Sequence, residues 1–328
     1  MTVRATKPPW TEPGWMESVG AWIRAELGKL GTAVGGPLEQ PHVRPWSTVL
    51  RIPTEDGPVF FKACADDQRH EPAVTQAMAR WHPDALPTIH AIDPERGWML
   101  MADGGSVARE AIKAEGTTRH WERLLPRYAK LQIDLADRVE ELLALGLPDR
   151  IEELLRDTEI LLVDRPEGLT SAEYRRLLDI KPRLVDVCER LAACPIPESI
   201  HHGDFHDANV FLSDDRYVFF DWGDASAAHP FFSLRVVFVI VEWILGIEEG
   251  APELDRLLDA YLAPWRRFAG GEDLLAAFDL ASRLSPLCAA LRWHGYVSGF
   301  DEADRAEYAG HVPGLLRDFL ELEDRLSG

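Results

Sequence analysis

Side chains suited to metal or proton chemistry crowd one stretch of this sequence, His201-His202-Gly203-Asp204-Phe205-His206-Asp207-Ala208-Asn209, and resume at Asp221-Trp222-Gly223-Asp224. Between them, two short apolar runs, Val210-Phe211-Leu212 and Tyr217-Val218-Phe219-Phe220, flank the polar turn Ser213-Asp214-Asp215-Arg216. This pattern predicts a β-hairpin with the reactive groups at its open end. A turn centred on Asp215 sets Asn209 opposite Asp221, and directly paired side chains have Cβ atoms about 5 Å apart. An amide oxygen and a carboxylate facing one volume form a partial cage for a hard cation such as Mg²⁺, which keeps waters and takes its other ligands from substrate phosphates. Asp204 precedes Asn209 by five residues and projects from the loop that enters the hairpin. There it is placed to accept a proton or to orient a hydroxyl beside the metal.

Other chemistry fits parts of the same stretch. His201, His202, Asp204 and His206 are ligand types for Zn²⁺ or a related metal in a hydrolase, although no second His/Asp cluster elsewhere completes such a site. A purely structural hairpin has no need of an Asn and an Asp at matched distances from its turn.

The order of the residues resembles a named pattern. Protein kinases carry His-Arg-Asp-Leu-x-x-x-Asn followed by Asp-Phe-Gly; here His202-Gly203-Asp204-Phe205-x-x-x-Asn209 and Asp221-Trp222-Gly223 fall in the same order. Gly203 in place of the arginine, and the added His206, resemble the aminoglycoside phosphotransferase and choline kinase branch of the protein-kinase-like superfamily. That branch reads His-Gly-Asp-x-His-x-x-Asn and then Asp-Trp or Asp-Phe. The resemblance implies an α+β, bilobal protein-kinase-like fold with a small β-rich N-lobe and a larger, mostly helical C-lobe. It divides the chain into a nucleotide-binding lobe, 1–103, and a lobe, 104–328, that carries the catalytic loop, metal site and acceptor pocket. It further implies Asp204 as catalytic base, Asn209 and Asp221 on Mg²⁺, and ATP or GTP as phosphoryl donor. The acceptor it implies is a hydroxylated small molecule: an antibiotic of aminoglycoside or nucleoside type, phosphorylated in antibiotic resistance, or a related metabolite. A nucleotide-binding module without catalysis is the remaining reading, and a dead relative usually loses at least one of Lys62, Asp204, Asn209 and Asp221.

Elements upstream must position these groups. Trp15, Val19, Trp22, Ile23 and Leu27 recur at helical spacing, and Ser47–Ile52 and Pro58–Ala63 are strand-like runs around a Glu55-Asp56-Gly57 turn. Lys62 closes the second run and is the only lysine between Lys29 and Lys113. It resembles the kinase lysine that holds the α and β phosphates. Glu71, at the start of a predicted helix, is the only glutamate between Lys62 and Glu95 and so its natural ion partner. No glycine-rich loop is present; the corresponding turn is Val43–Thr48, in which Ser47 is expected on phosphate and Trp46 either covers the donor or joins the core. Leu86–Ala91 and Gly97–Met101 read as two more strands. The linker Ala102-Asp103-Gly104-Gly105 then resembles the kinase hinge, with Met101 and Asp103 beside the purine. Beyond Gly105 the helical period dominates, with breaks at Pro148, Pro166–Gly168 and Cys194–Pro197. The family places the acceptor between the catalytic loop and the last helices, so Asp207, Asp224, Glu242, Trp243, Trp293, His294 and Tyr296 are candidate pocket residues.

Composition limits the partners. At 328 residues the chain is long enough for a large core or for two lobes around a cleft. Its 35 basic and 55 acidic residues give a formal charge of −20, which argues against nucleic acid or an anionic membrane as partner. The most apolar stretch, Phe231–Leu245, holds Arg235 and Glu242 and is too short to span a bilayer. Four cysteines without a regular spacing, and no apolar leader after Met1, fit the cytoplasm.

Overall fold

The computed structural model describes residues 7–150, 153–213 and 216–327. Its first part is a sheet capped by a helix. Helix α1 (Trp15–Lys29) buries Trp15, Val19, Ile23 and Leu27, the stripe its periodicity predicts. Strands β1 (Glu39–Val43), β2 (Ser47–Ile52), β3 (Val59–Cys64), β4 (Ile89–Asp93) and β5 (Trp98–Ala102) form an antiparallel sheet in the order β1-β2-β3-β5-β4. Side chains alternate across a strand. On β3, Phe61 and Ala63 pack under α1 with Leu50, Trp98 and Leu100. Phe60 and Lys62 therefore face the other way, paired with Met101 and with Val49 and Met99 respectively.

Strand β1 is an addition to the sequence-based expectation. It reads as loop because its residues are mostly exposed and include Pro41, which an edge strand tolerates on its unpaired side. Helix α2 (Glu71–Trp81) lies between β3 and β4, but its buried Val74 and Met78 belong to the core of the second part, together with Leu86.

That second part contains α3 (Ala108–Glu115), α4 (Arg119–Ala136), α5 (Val139–Ala144), α6 (Glu153–Asp164) and α7 (Ser171–Ala192). The short strand β6 (Ser199–His201) pairs with β9 (Ser226–Ala228), and the hairpin β7 (Val210–Ser213) with β8 (Arg216–Phe219) sits between them. Helices α8 (Leu234–Leu245), α9 (Pro252–Leu262), α10 (Gly271–Gly299), α11 (Glu302–Tyr308) and α12 (His311–Ser327) complete it. The sequence predicts two helices where α10 runs unbroken, 274–287 and 289–296. Pro286 lies inside it, buried, and packing on both sides carries the helix through the missing N–H. By length and composition α10 could cross a bilayer, yet 61% of that apolar window is buried within the protein.

The loop bearing Asp204 is fixed from below. Phe205 is fully buried and stacks on Tyr128 of α4 at 3.8 Å. Nearby, Gln132 donates to the carbonyls of Ile200 and Pro230 at 2.8 and 3.1 Å and accepts from Tyr261. These bonds satisfy carbonyls on both sides of the loop's supporting strands, at positions where a buried unpaired carbonyl would cost about 1–3 kcal/mol.

Burial holds His70, His201, His202 and His229 in neutral form. Burial pushes His229 down to about 3, and burial with the charge of Lys62 brings His70 down to about 4. In the unfolded chain these histidines titrate near the ordinary value of about 6.5, so below that pH the unfolded state binds protons that the native state refuses. Native stability should therefore be flat above pH 7 and fall as the pH drops from 6.5 toward 5, at up to about 1.4 kcal/mol per pH unit for each histidine. His229→Asn keeps an acceptor for the Phe231 N–H that His229 now caps at 3.3 Å, and it should remove one histidine's share of the slope. Urea midpoints at pH 7.5, 6.5 and 5.5 check this; equal slopes in parent and variant would refute it.

Candidate active site

The hairpin pairs one residue out of the predicted register. Val210 lies opposite Phe219 and Ser213 opposite Arg216, which places Asn209 opposite Phe220, with Phe220 N–H donating to the Asn209 carbonyl at 3.1 Å. Asp221 is not the partner of Asn209. Asp214 and Asp215, where the sequence centres the turn, lie outside the described residues. A slip of one residue would normally turn a side chain to the opposite face. Asp221 escapes this because it sits in the left-handed region, φ +66°, one of two non-glycine residues with positive φ among those described. Aspartate tolerates that conformation, at a cost of about 1–3 kcal/mol. The turn brings its carboxylate into the cleft under the sheet.

There it meets Lys62. The Lys62 ammonium lies 2.9 and 2.7 Å from the two carboxylate oxygens of Glu71 and makes a close ion pair with Asp221. Glu71 is fully buried and also accepts from the Trp222 backbone N–H at 3.1 Å and from the Cys64 thiol at 3.1 Å. Burial alone would favour neutral lysine, but Asp221 and then Glu71 outweigh it and hold Lys62 well above its usual range. Burial opposes ionisation of Asp221 as well, and the charge and hydrogen bond of Lys62 bring it below the usual carboxylate value.

A cavity of about 380 Å³ opens beside this pair. Its lining includes Ser47, Lys62, Glu71, Met101, Asp103, Asn209 and Asp221, so seven of the predicted site residues converge. Val49 and Phe60 from the sheet and Phe211 and Phe220 from the hairpin supply apolar walls, the last two stacked at 3.8 Å. Gly104 is required here, since a Cβ would collide with the Phe211 ring. Asn209 donates its amide to the Asp204 carbonyl at 2.9 Å and to the Asp204 carboxylate at 3.3 Å, which commits Nδ2 and leaves Oδ1 as its acceptor. An amide oxygen and a carboxylate on one cavity wall are hard oxygen donors and fit Mg²⁺.

Asp204 lines neither this cavity nor a second one; it lies between Gly203, which lines the second, and its hydrogen-bond partner Asn209, which lines the first. Burial disfavours its charge, but the hydrogen bond and charge of His206, at 3.2 Å, together with Arg292 and His202 hold its carboxyl well below the ordinary carboxylate range. His202 donates from Nε2 to the Phe220 carbonyl at 2.9 Å, tying the loop before Asp204 to the strand before Asp221. Gly203 has φ +80°, and a Cβ there would strike the Asp224 backbone. The histidines do not gather around one point: His201 bonds Ser233, His202 bonds Phe220, and His206 bonds Asp204. No group of three His, Cys, Asp or Glu among the described residues is arranged to hold a metal, so the hydrolase alternative lacks its ligand set.

The second cavity, about 390 Å³, is bounded by Gly203, Asp224, Arg292, Trp293 and Tyr296, and extends along α8 and α12. Of the candidate pocket residues, Asp224, Trp293 and Tyr296 line this cavity. Asp207 does not: it is fully buried, with Arg109 of α3 donating to one oxygen from Nε at 2.9 Å and Nη2 at 2.6 Å. Its place in the turn 207–209 makes it an anchor for Asn209. Glu242, Trp243 and His294 do not line the cavity either, and Trp243 is 72% exposed. Helical rotation explains Glu242 and His294, since Val236, Val239 and Ile240 present the cavity-facing side of α8, and Arg292, Trp293 and Tyr296 that of α10; Trp243 continues the α8 stripe one turn past Ile240, beyond the cavity.

Three residues of the site carry no short motif. Gln68 reaches from the segment before α2 to Asp224 and the Tyr296 hydroxyl, at 3.1 and 3.0 Å. Arg292 donates to the Gly203 carbonyl, next to Asp204. It is the one arginine between Arg283 and Arg305, a charge in an otherwise apolar helical run, and that contrast was its only signal. Trp46 does not cover the donor cavity; it packs on Trp293, Tyr296, Phe300 and Tyr308 at centroid distances of 5.3–6.2 Å.

The two-lobed arrangement around a lysine, a catalytic-type loop and a hairpin is the protein-kinase-like fold. The chain belongs to APH, the phosphotransferase enzyme family, which matches residues 64–270. It is similar to the solved structure of a choline/ethanolamine kinase family protein from Mesorhizobium loti, with 17% identity over 92% of this chain and 94% of that one and a TM-score of 0.63. It is similar also to a type I macrolide 2'-phosphotransferase (14% identity, 90% and 97% coverage, TM-score 0.59) and to APH(2")-IIia solved with GDP and kanamycin (13%, 92% and 99%, 0.59). No curated protein matches the chain.

Removing Lys62 should expose how far the fold leans on it. Lys62→Met leaves the Glu71 carboxylate buried without its counter-charge, which should cost about 3–5 kcal/mol. Adding Glu71→Gln, which retains an acceptor for the Trp222 N–H, should recover most of that loss. Urea denaturation of parent, single and double variants measures both; a double variant no more stable than the single would contradict the account.

Proposed function

We propose that the protein transfers the γ-phosphoryl group of ATP or GTP to a hydroxyl of a small molecule, with Asp204 as the catalytic base. The observation that carries this reading is one junction: Lys62, Asn209 and Asp221 line one cavity, and Asp204 bonds to Asn209 on one side and adjoins the Gly203–Arg292 wall of the next. A donor and an acceptor approaching from the two cavities would meet at Asp204. The purine fits the apolar slot between Val49 and Phe60 above and Phe211 and Phe220 below, beside Met101 and Asp103. Lys62 holds the non-transferring phosphates.

Asn209 and Asp221 would hold Mg²⁺, which neutralises phosphate charge when bound. The remaining work falls to the chain's own groups. Asp204, ionised and fixed by His206 and Asn209, accepts a hydrogen bond from the acceptor hydroxyl and orients its oxygen toward the γ-phosphorus. As the new P–O bond forms and the bond to the β-phosphate oxygen breaks, the hydroxyl proton passes to the Asp204 carboxylate and the nucleoside diphosphate leaves. Antibiotics of aminoglycoside or nucleoside type and related metabolites are the candidate acceptors. Proteins of similar fold are named for choline, ethanolamine and macrolides, and one was solved with kanamycin bound.

Nucleoside-diphosphate release across a panel of hydroxylated antibiotics, sugars and amines, run with ATP and with GTP, tests the reading. Asp204→Asn should lower kcat by about 10²–10⁴-fold and leave nucleotide affinity near that of the parent. Asp221→Ala should abolish the Mg²⁺-dependent part of nucleotide binding. Parental turnover in either variant would remove the role assigned to that residue.

A further inference from the structure

We propose that the acceptor carries no fixed positive charge and is an uncharged alcohol with an apolar body. This rests on the phosphotransferase reading and narrows its second cavity. That cavity is lined by three aspartates, Asp67, Asp224 and Asp318, and three arginines, Arg150, Arg235 and Arg292. It is neutral in a chain of formal charge −20.

The carboxylates are also engaged. Asp318 is paired with Arg235 at 2.6 Å. Asp224 accepts from Tyr296 and from Gln68 at 3.1 Å and has Arg292 Nε at 3.9 Å. Only Asp67 has no arginine or lysine partner among the described residues, and it lies exposed at the cavity's edge. A polycationic acceptor would surrender hydration on several ammonium groups and find one such carboxylate.

A single quaternary ammonium fares no better. Such ligands are held by open aromatic faces, whereas Trp293 packs on His311 and Tyr308 at 4.1 and 5.6 Å and Tyr296 on Trp46 and Phe300. Arg292 lines the same cavity and donates to the Gly203 carbonyl, next to Asp204, setting a guanidinium beside the loop that a cation would have to reach. What the cavity does offer is aliphatic surface. Val236, Val239 and Ile240 form a stripe along α8, and Phe232 and Leu315 line the same cavity. Val239 is 48% exposed, an apolar side chain left without cover beside the site.

The full-length protein tests this with four probes: chloramphenicol and thymidine as uncharged alcohols, kanamycin and choline as cations. Binding is read from tryptophan fluorescence, since Trp293 lines the cavity, and transfer from nucleoside-diphosphate release with ATP and GTP. The uncharged probes should bind and the cations should bind at least about tenfold more weakly. Val239→Asp, at a half-exposed position that tolerates the change, should reverse that ratio in favour of choline. Equal or tighter binding of kanamycin or choline by the parent overturns the proposal, as does failure of both uncharged probes to bind at millimolar concentration. Phosphorylation of a cation would refute the acceptor class and leave phosphoryl transfer standing. Binding of the uncharged probes without diphosphate release from either nucleotide would do the reverse.

Discussion

The structure is arranged around a buried ammonium shared by two carboxylates. Lys62 comes from the sheet, Glu71 from the helix after it, and Asp221 from the far end of the hairpin, more than 150 residues away. Desolvating Lys62 and Glu71 is expensive, while the Asp221 side chain stays 44% exposed, and the cost is offset only if the buried charges are paired and their remaining hydrogen-bonding groups are satisfied. Glu71 meets that condition by accepting from Trp222 N–H and Cys64 as well as from Lys62. The bond to Trp222 N–H fixes the peptide directly after Asp221. One salt bridge therefore sets the height of the sheet over the hairpin and the direction of the residue expected to face metal and phosphate.

The hairpin shows how far local sequence carries. Its two apolar runs, its turn and the identity of every polar group at its open end were legible, because alternation and turn residues act over a few positions. The register was not, since a turn centred on Asp215 and one centred between Asp214 and Asp215 differ by one residue and leave the same apolar pattern. The conclusion that Asn209 and Asp221 share a cavity survived this error for a reason the pattern does not contain. The left-handed backbone at Asp221 compensates the slip, and the ion pair with Lys62 helps hold that strained conformation in place. The convergence of Ser47, Met101 and Asp103 on the same cavity was legible only through resemblance, because nothing in their own surroundings marks them.

The second cavity was the least legible part. Its walls come from the loop before the hairpin, from α8, from α10 and from α12, and no motif spans those distances. Residue type alone selected Asp207 and Glu242, but a carboxylate in the right neighbourhood is not a carboxylate on the right face. Asp207 spends itself on Arg109, and Glu242 lies off the stripe that Val236, Val239 and Ile240 define. Conversely, Gln68 and Arg292 matter through partners, Asp224, Tyr296 and the Gly203 carbonyl, that become visible only once the chain is folded.

Trp46 and Gln68 together answer the question raised by the missing glycine-rich loop. A glycine-rich loop leaves the strand turn over the phosphates free to move, whereas here the equivalent turn carries a tryptophan embedded among Trp293, Tyr296, Phe300 and Tyr308. Gln68 adds a polar tether a few residues after β3, and Gly223 is bare of a side chain where Gln68 passes. Aromatic pairs of this kind contribute about 0.5–1.5 kcal/mol each beyond their buried area. The turn is thus held from outside by α10 rather than by its own flexibility. Because α10 also supplies Arg292, Trp293 and Tyr296 to the second cavity, the turn over the first cavity and the wall of the second share one element. Side chains in contact thus join that wall to the turn beside β2 and β3.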